Sequence, residues 1–270
     1  MRLDYMTQLS PNPITLPFGT IIKPVLSRIC GNQNGVPYER FSMYEVFAKM
    51  TPKRFVDTAK NNPAAFQLNV DEIEQNLDNI SMFDLILRDI GLQQIYTELF
   101  NFFFDENVVF FENTFIVVDK GIPDDIPPEE IKNSIHGVLG AQQFAIAIDI
   151  IQQICCIHDK NADISDIKFK NDAARRIYEK IHKSEIEQGN DEKIDYNLSI
   201  PNLISKVSAK HPSINILNIW DLTVFQLLDQ FMTLQGNAFY DIDSARVSTW
   251  GDEKKTFDAT LWYKNTYDTN

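Results

Sequence analysis

The chain has 270 residues, 44% of them hydrophobic and 23% charged, and a formal net charge of −13. This composition favours a globular protein of one large or two small domains over a disordered chain. The negative charge argues against nucleic acid as the main partner, because phosphate binding needs clustered Lys and Arg, and also against an anionic membrane surface. The three cysteines do not form a disulfide-scaffold pattern and favour a reducing compartment.

Residues 1–40 are predicted to form an extended, irregular arm. The segment SPNPITLPFGTIIKP carries four prolines and a glycine, so it does not form a helix. The alternation in ITLPFGTII indicates either an extended arm or a short strand pair. The chain start has neither a basic nor an apolar signal region, so no secretory signal is expected.

Helical signals begin after the arm. Ser42 with Glu45 fits a capping box, and Thr51 before Pro52 fits a cap with proline at the first helical position. A further helix is predicted near Asp71, and another begins at Ser81 in SMFDLILRDI, where apolar residues recur at helical spacing. The segment LQQIYTELFNFFF is predicted to be the next helix.

The stretch NFFFDENVVFFENTFIVV, residues 101–118, is the most apolar feature of the sequence. Its first residues close a helix, and VVFF-EN-TFIVV predicts a β-hairpin at about residues 107–118 with a Glu-Asn turn. Both faces of the two runs are apolar, so the hairpin must be covered by its own chain or by a partner. The polar residues within the stretch exclude a membrane segment.

After the hairpin, GIPDDIPPEE is an acidic loop, and 121–128 is an alternative domain boundary. A long apolar helix bent near Gly137 or Gly140 is predicted next, and NIWDLTVFQLLDQFMTLQ is predicted as an amphipathic helix. We therefore expect a mainly α, bundle-like domain over 41–240 with the small hairpin, followed by a polar and aromatic tail over 241–270.

The sequence shows few signs of chemistry. No phosphate-binding, nucleophile-elbow or zinc-protease motif occurs. Cys155 and His158 are three residues apart, but a structural zinc site needs two further ligands. The basic helix around 168–183 is interpreted as a solvated face, and YDIDS offers too few oxygens for a cation. We expect no catalytic residue, no metal and no cofactor.

Aromatic side chains are the candidate partner-binding residues. The alternative is that all of them belong to the core of the chain. The candidates are Phe102, Phe103, Phe104, Phe110, Phe111, Phe115, Trp220, Phe225, Trp250 and Trp262.

Three segments resemble a group of tailed-phage proteins of Gram-positive hosts, encoded among the virion and tail morphogenesis genes. They are the proline-rich arm, the Phe-rich middle and WDLTVFQLLDQFMTLQGNAFYDI. The matching positions of the last helix and the chain end are Trp220, Asp221, Leu222, Thr223, Phe225, Gln226 and Leu261–Lys264.

Such proteins are similar to tail assembly chaperones, and the resemblance implies binding of the tape-measure protein or other tail proteins. A non-enzymatic assembly factor in the cytoplasm of the infected host is therefore expected, and homo-oligomerisation remains open. The alternatives are a structural virion or neck component, and an enzyme or host-interacting protein. A structural component would be present in the virion, whereas a chaperone would be absent from it.

Overall fold

The computed structural model describes residues 2–30, 35–61, 68–120, 134–157, 198–253 and 256–263. These residues form a mainly α fold with small antiparallel sheets, which confirms the predicted fold class. The alternative boundary at 121–128, the basic segment 168–183 and His158 lie outside the described residues. No helix in the described part of the chain is long and apolar enough to cross a membrane.

The chain divides into two compact units. The N-terminal unit comprises Met1–Leu3, Pro11–Pro24 and Arg28–Ile157, and the C-terminal unit comprises Asp4–Ser10, Val25–Ser27 and His158–Asn270. The α-helices are α1 Tyr5–Leu9, α2 Tyr38–Ala48, α3 Pro52–Asn61, α4 Val70–Gln75, α5 Met82–Arg88, α6 Ile90–Phe103, α7 Ala141–Ile154, α8 Ile200–Lys210 and α9 Val224–Trp250. The strands are β1 Ile14–Leu16, β2 Gly19–Ile21, β3 Asn107–Phe111, β4 Thr114–Val118 and β5 Ile135–Leu139.

The predicted N-terminal arm contains regular structure. Asp4 caps the short helix α1 by accepting a hydrogen bond from the Thr7 N–H at 2.8 Å. The sequence left open whether this segment forms an extended arm or a strand pair. It forms a strand pair, because β1 and β2 pair antiparallel. Gly19 has a φ of 147° and lies against the Phe104 ring, where a side chain would not fit.

The hairpin predicted at 107–118 is confirmed as β3 and β4, paired antiparallel. Its turn residues Glu112 and Asn113 have φ values of 46° and 64°, as a two-residue primed turn requires. β5 adds a third strand beside β4. The prediction of a bent helix through Gly137 is therefore wrong, because residues 135–139 form a strand and the helix begins only at Ala141.

Helix starts follow their local capping chemistry in part. Ser81 and Asp84 form a complete capping box at α5, and Pro52 is the first residue of α3, both as predicted. In contrast, α2 begins at Tyr38, before the predicted start at Ser42. Pro37 precedes this helix and supplies the fixed backbone angle at its entry.

In the C-terminal unit, α9 packs with α8 and α1. Thr223 and Gln226 form the capping box of α9, and the Gln226 side-chain amide also donates to the Leu9 carbonyl oxygen at 2.8 Å. α9 continues to Trp250, so its last turns lie in the segment that the sequence predicted as a tail. Gly251, with a φ of 74°, ends the helix.

Candidate protein-interaction surfaces

The Phe-rich segment forms the core of the N-terminal unit. The Phe115 side chain is fully buried, with its ring centroid 5.1 Å from that of Phe100 and 6.3 Å from that of Phe144. Phe100 and Phe144 meet edge-to-face at 5.7 Å, one of the arrangements that aromatic quadrupoles favour. The covering required by the apolar hairpin thus comes from helices of the same chain.

The predicted partner-binding residues therefore fall into three groups according to their burial. The buried ones are Phe102, Phe103, Phe104, Phe115 and Phe225. Phe110, Phe111 and Trp220 are half-buried, while Trp250 and Trp262 are 78% and 58% exposed. The buried rings have no surface to offer a partner, so the hypothesis of a partner-binding role applies to the half-buried and exposed ones.

Phe102 also carries a charge contact within the N-terminal unit. The Arg28 guanidinium lies 4.9 Å from the Phe102 ring centroid, as in a cation–π contact. Burial lowers the pKa of Arg28, and the nearby charge of Asp105 opposes that effect. Arg28 stays charged because even a lowered guanidinium pKa remains far above neutral pH. This contact stabilises the core and presents no reactive group.

At Val108, the outer edge of β3 is paired by a side chain. Asn101 Nδ2 donates to the Val108 carbonyl oxygen at 2.8 Å, and the Val108 N–H donates to Asn101 Oδ1 at 2.8 Å. This pair of bonds imitates the backbone pairing of a neighbouring strand. An edge satisfied in this way is a poor template for pairing with another chain.

A shallow groove of about 310 Å³ lies on the N-terminal unit between α5 and α7. Its floor is apolar, formed by Met82, Phe83, Phe144 and Ile148, with Asp149 and Gln152 among the other lining residues. Its volume is near the lower end of the range for small-molecule sites. Within the described residues, no group of three or more His, Cys, Asp or Glu side chains could hold a metal ion.

The C-terminal unit exposes aliphatic side chains on a hydrogen-bonded loop between α8 and α9, here called the Ile216 loop and defined as residues 211–218. Leu217 is 86% exposed and Ile216 51% exposed. The Ile214 N–H donates to His211 Nδ1 at 2.8 Å, and the Leu217 N–H donates to Asn215 Oδ1 at 2.9 Å. The loop therefore exposes two aliphatic side chains to water, and its backbone is ordered by hydrogen bonds.

Asn218 and Trp220 complete the hydrogen-bond framework of the Ile216 loop. Asn218 Oδ1 accepts from the Asn215 N–H at 2.8 Å, and Asn218 Nδ2 donates to the Ser213 carbonyl oxygen at 3.0 Å. The Trp220 indole Nε1–H donates to the Ile216 carbonyl oxygen at 2.7 Å. Trp220, which was predicted as a contact residue, therefore also has a structural role, because its indole holds the loop backbone at Ile216.

A second exposed apolar surface follows the C-terminal half of α9. Phe239, Ile242 and Trp250 are 53%, 69% and 78% exposed, and no residue of α9 after Leu227 is buried. The helical turn Leu261–Tyr263 packs against α9, with Trp262 and Tyr263 also exposed. Water-exposed aromatics at this density are typical of surfaces that another chain covers.

Sequence reasoning missed Ile216, Leu217, Phe239 and Ile242. Ile216 and Leu217 lie in PSINILN, where asparagines on both sides are a loop signal that could have placed them at the surface. Phe239 and Ile242 are three residues apart, which is helical spacing, but the tail was predicted to begin between them, at Asp241.

The described molecule is thus a mainly α protein with small antiparallel sheets, and Leu217 and Trp250, its most exposed large hydrophobic side chains, lie in the C-terminal unit. Residues 189–267 match the family model of the YomV second domain. This segment contains α8, the Ile216 loop, α9 and the turn at Leu261–Tyr263. The match is consistent with a phage-associated protein and does not specify a tail chaperone. Neither the curated proteins nor the solved structures gave a match to the chain.

Proposed function

We propose that this protein is a non-enzymatic phage assembly factor, and that it acts as a tail assembly chaperone in the cytoplasm of the infected host. The observation that carries the proposal is the Ile216 loop, which presents two aliphatic side chains within the segment that matches the YomV second domain. The resemblance to proteins of the tail morphogenesis genes supports the assignment to the tail.

The loop is suited to protein binding for an energetic reason. Full burial of one aliphatic side chain is worth about 1.5–3 kcal/mol, so Ile216 and Leu217 together offer a useful anchor. The loop is already ordered by hydrogen bonds that the His211 and Asn215 side chains accept and the Asn218 side chain donates. It therefore loses little conformational entropy on binding. A preorganised anchor of this kind retains more of its burial energy as binding affinity.

The proposed partner is the tape-measure protein or another tail protein. A long amphipathic helix exposes an apolar stripe that is insoluble until its final partners surround it, and Ile216 and Leu217 can cover part of such a stripe. The net charge of −13 would keep a complex of this kind soluble through repulsion between copies. Neither residue has a reactive side chain, which supports a role in binding without catalysis.

The experiment is affinity purification of tagged chain from phage-infected cells, with mass spectrometry of the soluble lysate and of purified virions. We expect a long helical tail protein to co-purify from the lysate and the chain to be absent from virions. Leu217→Asp should remove the partner, whereas Val46→Asp, at a 54% exposed position of the N-terminal unit, should retain it. Both variants should melt within a few degrees of the parent chain.

Two results would overturn the proposal. Recovery of the chain in virions at fixed copy number would favour the structural virion component. Equal partner recovery with Leu217→Asp and with Val46→Asp would remove the Ile216 loop from the binding surface.

A further inference from the structure

The exposed half of α9 carries an apolar stripe on one side of the helix. At 100° per residue, Phe239, Ile242 and Trp250 fall within about 80° of the helix circumference. All three are more than half exposed. The stripe rises over about 16 Å along the helix axis, which is about three turns.

A charged pair lies inside this stripe. Asp243 and Arg246 occupy the same side of α9, and the Arg246 Nη2 and Asp243 Oδ1 atoms are 2.7 Å apart. Their side chains are 36% and 42% exposed. A partner that covers Phe239 and Trp250 therefore also faces this pair, and charge complementarity favours groups of opposite sign there.

The order of these four residues is symmetric along the chain. The midpoint of this segment lies between Ser244 and Ala245. Phe239 and Trp250 lie at equal distances along the chain before and after this midpoint. Asp243 and Arg246 straddle the same midpoint. An antiparallel copy of this helix therefore sets Phe239 opposite the partner copy's tryptophan and Asp243 opposite its arginine, each contact occurring twice. Such reciprocity is the condition for a twofold interface.

We propose that the C-terminal half of α9 pairs antiparallel with the same segment of a second copy of this chain, forming a twofold-symmetric dimer. Antiparallel helices place opposite ends of their dipoles together, whereas a parallel pair would align Asp with Asp and Arg with Arg. Aromatic residues at both ends of the stripe then meet across the interface. The inference goes beyond the proposed function and uses a different surface, separate in sequence from the Ile216 loop.

The interface is short, so the dimer should form at micromolar protein concentrations. Sedimentation equilibrium of the full chain over about 1–200 µM should show a shift from 31.1 kDa towards twice that mass. Asp243→Arg alone and Arg246→Asp alone should each weaken dimerisation at least about tenfold, because like charges then face each other.

Mixing the two single variants is the decisive measurement. In a mixed dimer, each of the two arginines of the Asp243→Arg chain faces one of the two aspartates of the Arg246→Asp chain. An equimolar mixture should therefore dimerise at concentrations where neither variant dimerises alone. The double variant D243R/R246D should also dimerise. A fold defect in one chain cannot produce recovery on mixing.

Asp241→Arg is the matched control, because it makes the same charge change on the opposite side of α9 at an exposed position. It should leave dimerisation unchanged. A parent chain that stays monomeric across the concentration range would overturn the proposal. So would a mixture of the two single variants that remains monomeric, or a loss of dimer with Asp241→Arg as large as with Asp243→Arg. Partner recovery from infected cells tests the proposed function separately.

Discussion

Truncation of Phe115 tests whether the Phe-rich segment is core or contact surface. The Phe115 ring is fully buried in the N-terminal unit, with ring centroids of Phe110, Phe100, Phe144 and Phe83 between 5.0 and 6.5 Å away. Phe115→Ala would leave a cavity among these rings, which belong to different elements of the unit and cannot all move inwards. We therefore expect a large loss of stability.

The expected loss is about 3–5 kcal/mol, the usual cost of truncating a buried Phe to Ala. Domains unfold with free energies of about 5–15 kcal/mol, so this single change would remove a large part of the total. For a unit of this size it corresponds to a fall in melting temperature of about 6–20 °C. Phe110→Ala is the control on the same hairpin, and its half-buried ring predicts a smaller loss, about 1–2 kcal/mol.

The assay is urea denaturation followed by far-ultraviolet circular dichroism, with hydrogen-exchange mass spectrometry of peptides spanning residues 99–118. Exchange locates the loss within the N-terminal unit, which matters because a two-unit chain need not unfold in one step. A loss below about 1 kcal/mol for Phe115→Ala, or a larger loss for Phe110→Ala than for Phe115→Ala, would refute the assignment of this segment to the core.

Three further outcomes follow from local contacts. Asn101→Ala should cost about 1–3 kcal/mol and speed amide exchange along β3, because both hydrogen bonds at its edge are lost; unchanged exchange there would contradict this. Thr223→Ala should lower the free energy of unfolding by about 1–2 kcal/mol, because the buried hydroxyl caps α9; urea denaturation followed by tryptophan fluorescence measures it. Thr223→Ser should retain most of the stability. Burial raises the pKa of the Cys30 thiol and raises that of the buried Cys155 thiol well above its ordinary value. Iodoacetamide at pH 8 should therefore alkylate the exposed Cys30 first, and equal rates by peptide mass spectrometry would argue against the burial of Cys155.

The elements that the sequence predicted well are those determined by neighbouring residues. The capping box at Ser81 and the proline at the start of α3 act within one helical turn, so their chemistry can be read locally. The same holds for the hairpin, where two β-rich runs flank Glu112 and Asn113. These two residues adopt left-handed angles that the primed turn needs.

The strand β5 could not be predicted in this way. Gly137 and its apolar neighbours suit a bent helix as well as a short strand when only local pattern is considered. The choice depends on β4, which pairs with β5, and on Phe18, whose backbone lies where a side chain at Gly137 would be. Phe18 is distant in the chain, so this information appears only in the folded molecule.

The candidate residues show that the neighbouring sequence does not separate a core aromatic from an exposed one. Phe102 and Phe115 lie in segments dense in apolar residues and are buried. Phe239 has Gln235 and Asp243 four residues before and after it, but the buried Phe102 likewise has Glu98 and Glu106 at these positions. Aromatic content and the polarity of helical neighbours are therefore alike in the two groups. Tertiary contacts distinguish them, because Phe41 and Tyr44 of α2 pack against the Phe102 ring. The exposed candidates, Trp250 and Trp262, lie in the matched C-terminal segment, whereas most of the Phe-rich middle belongs to the interior.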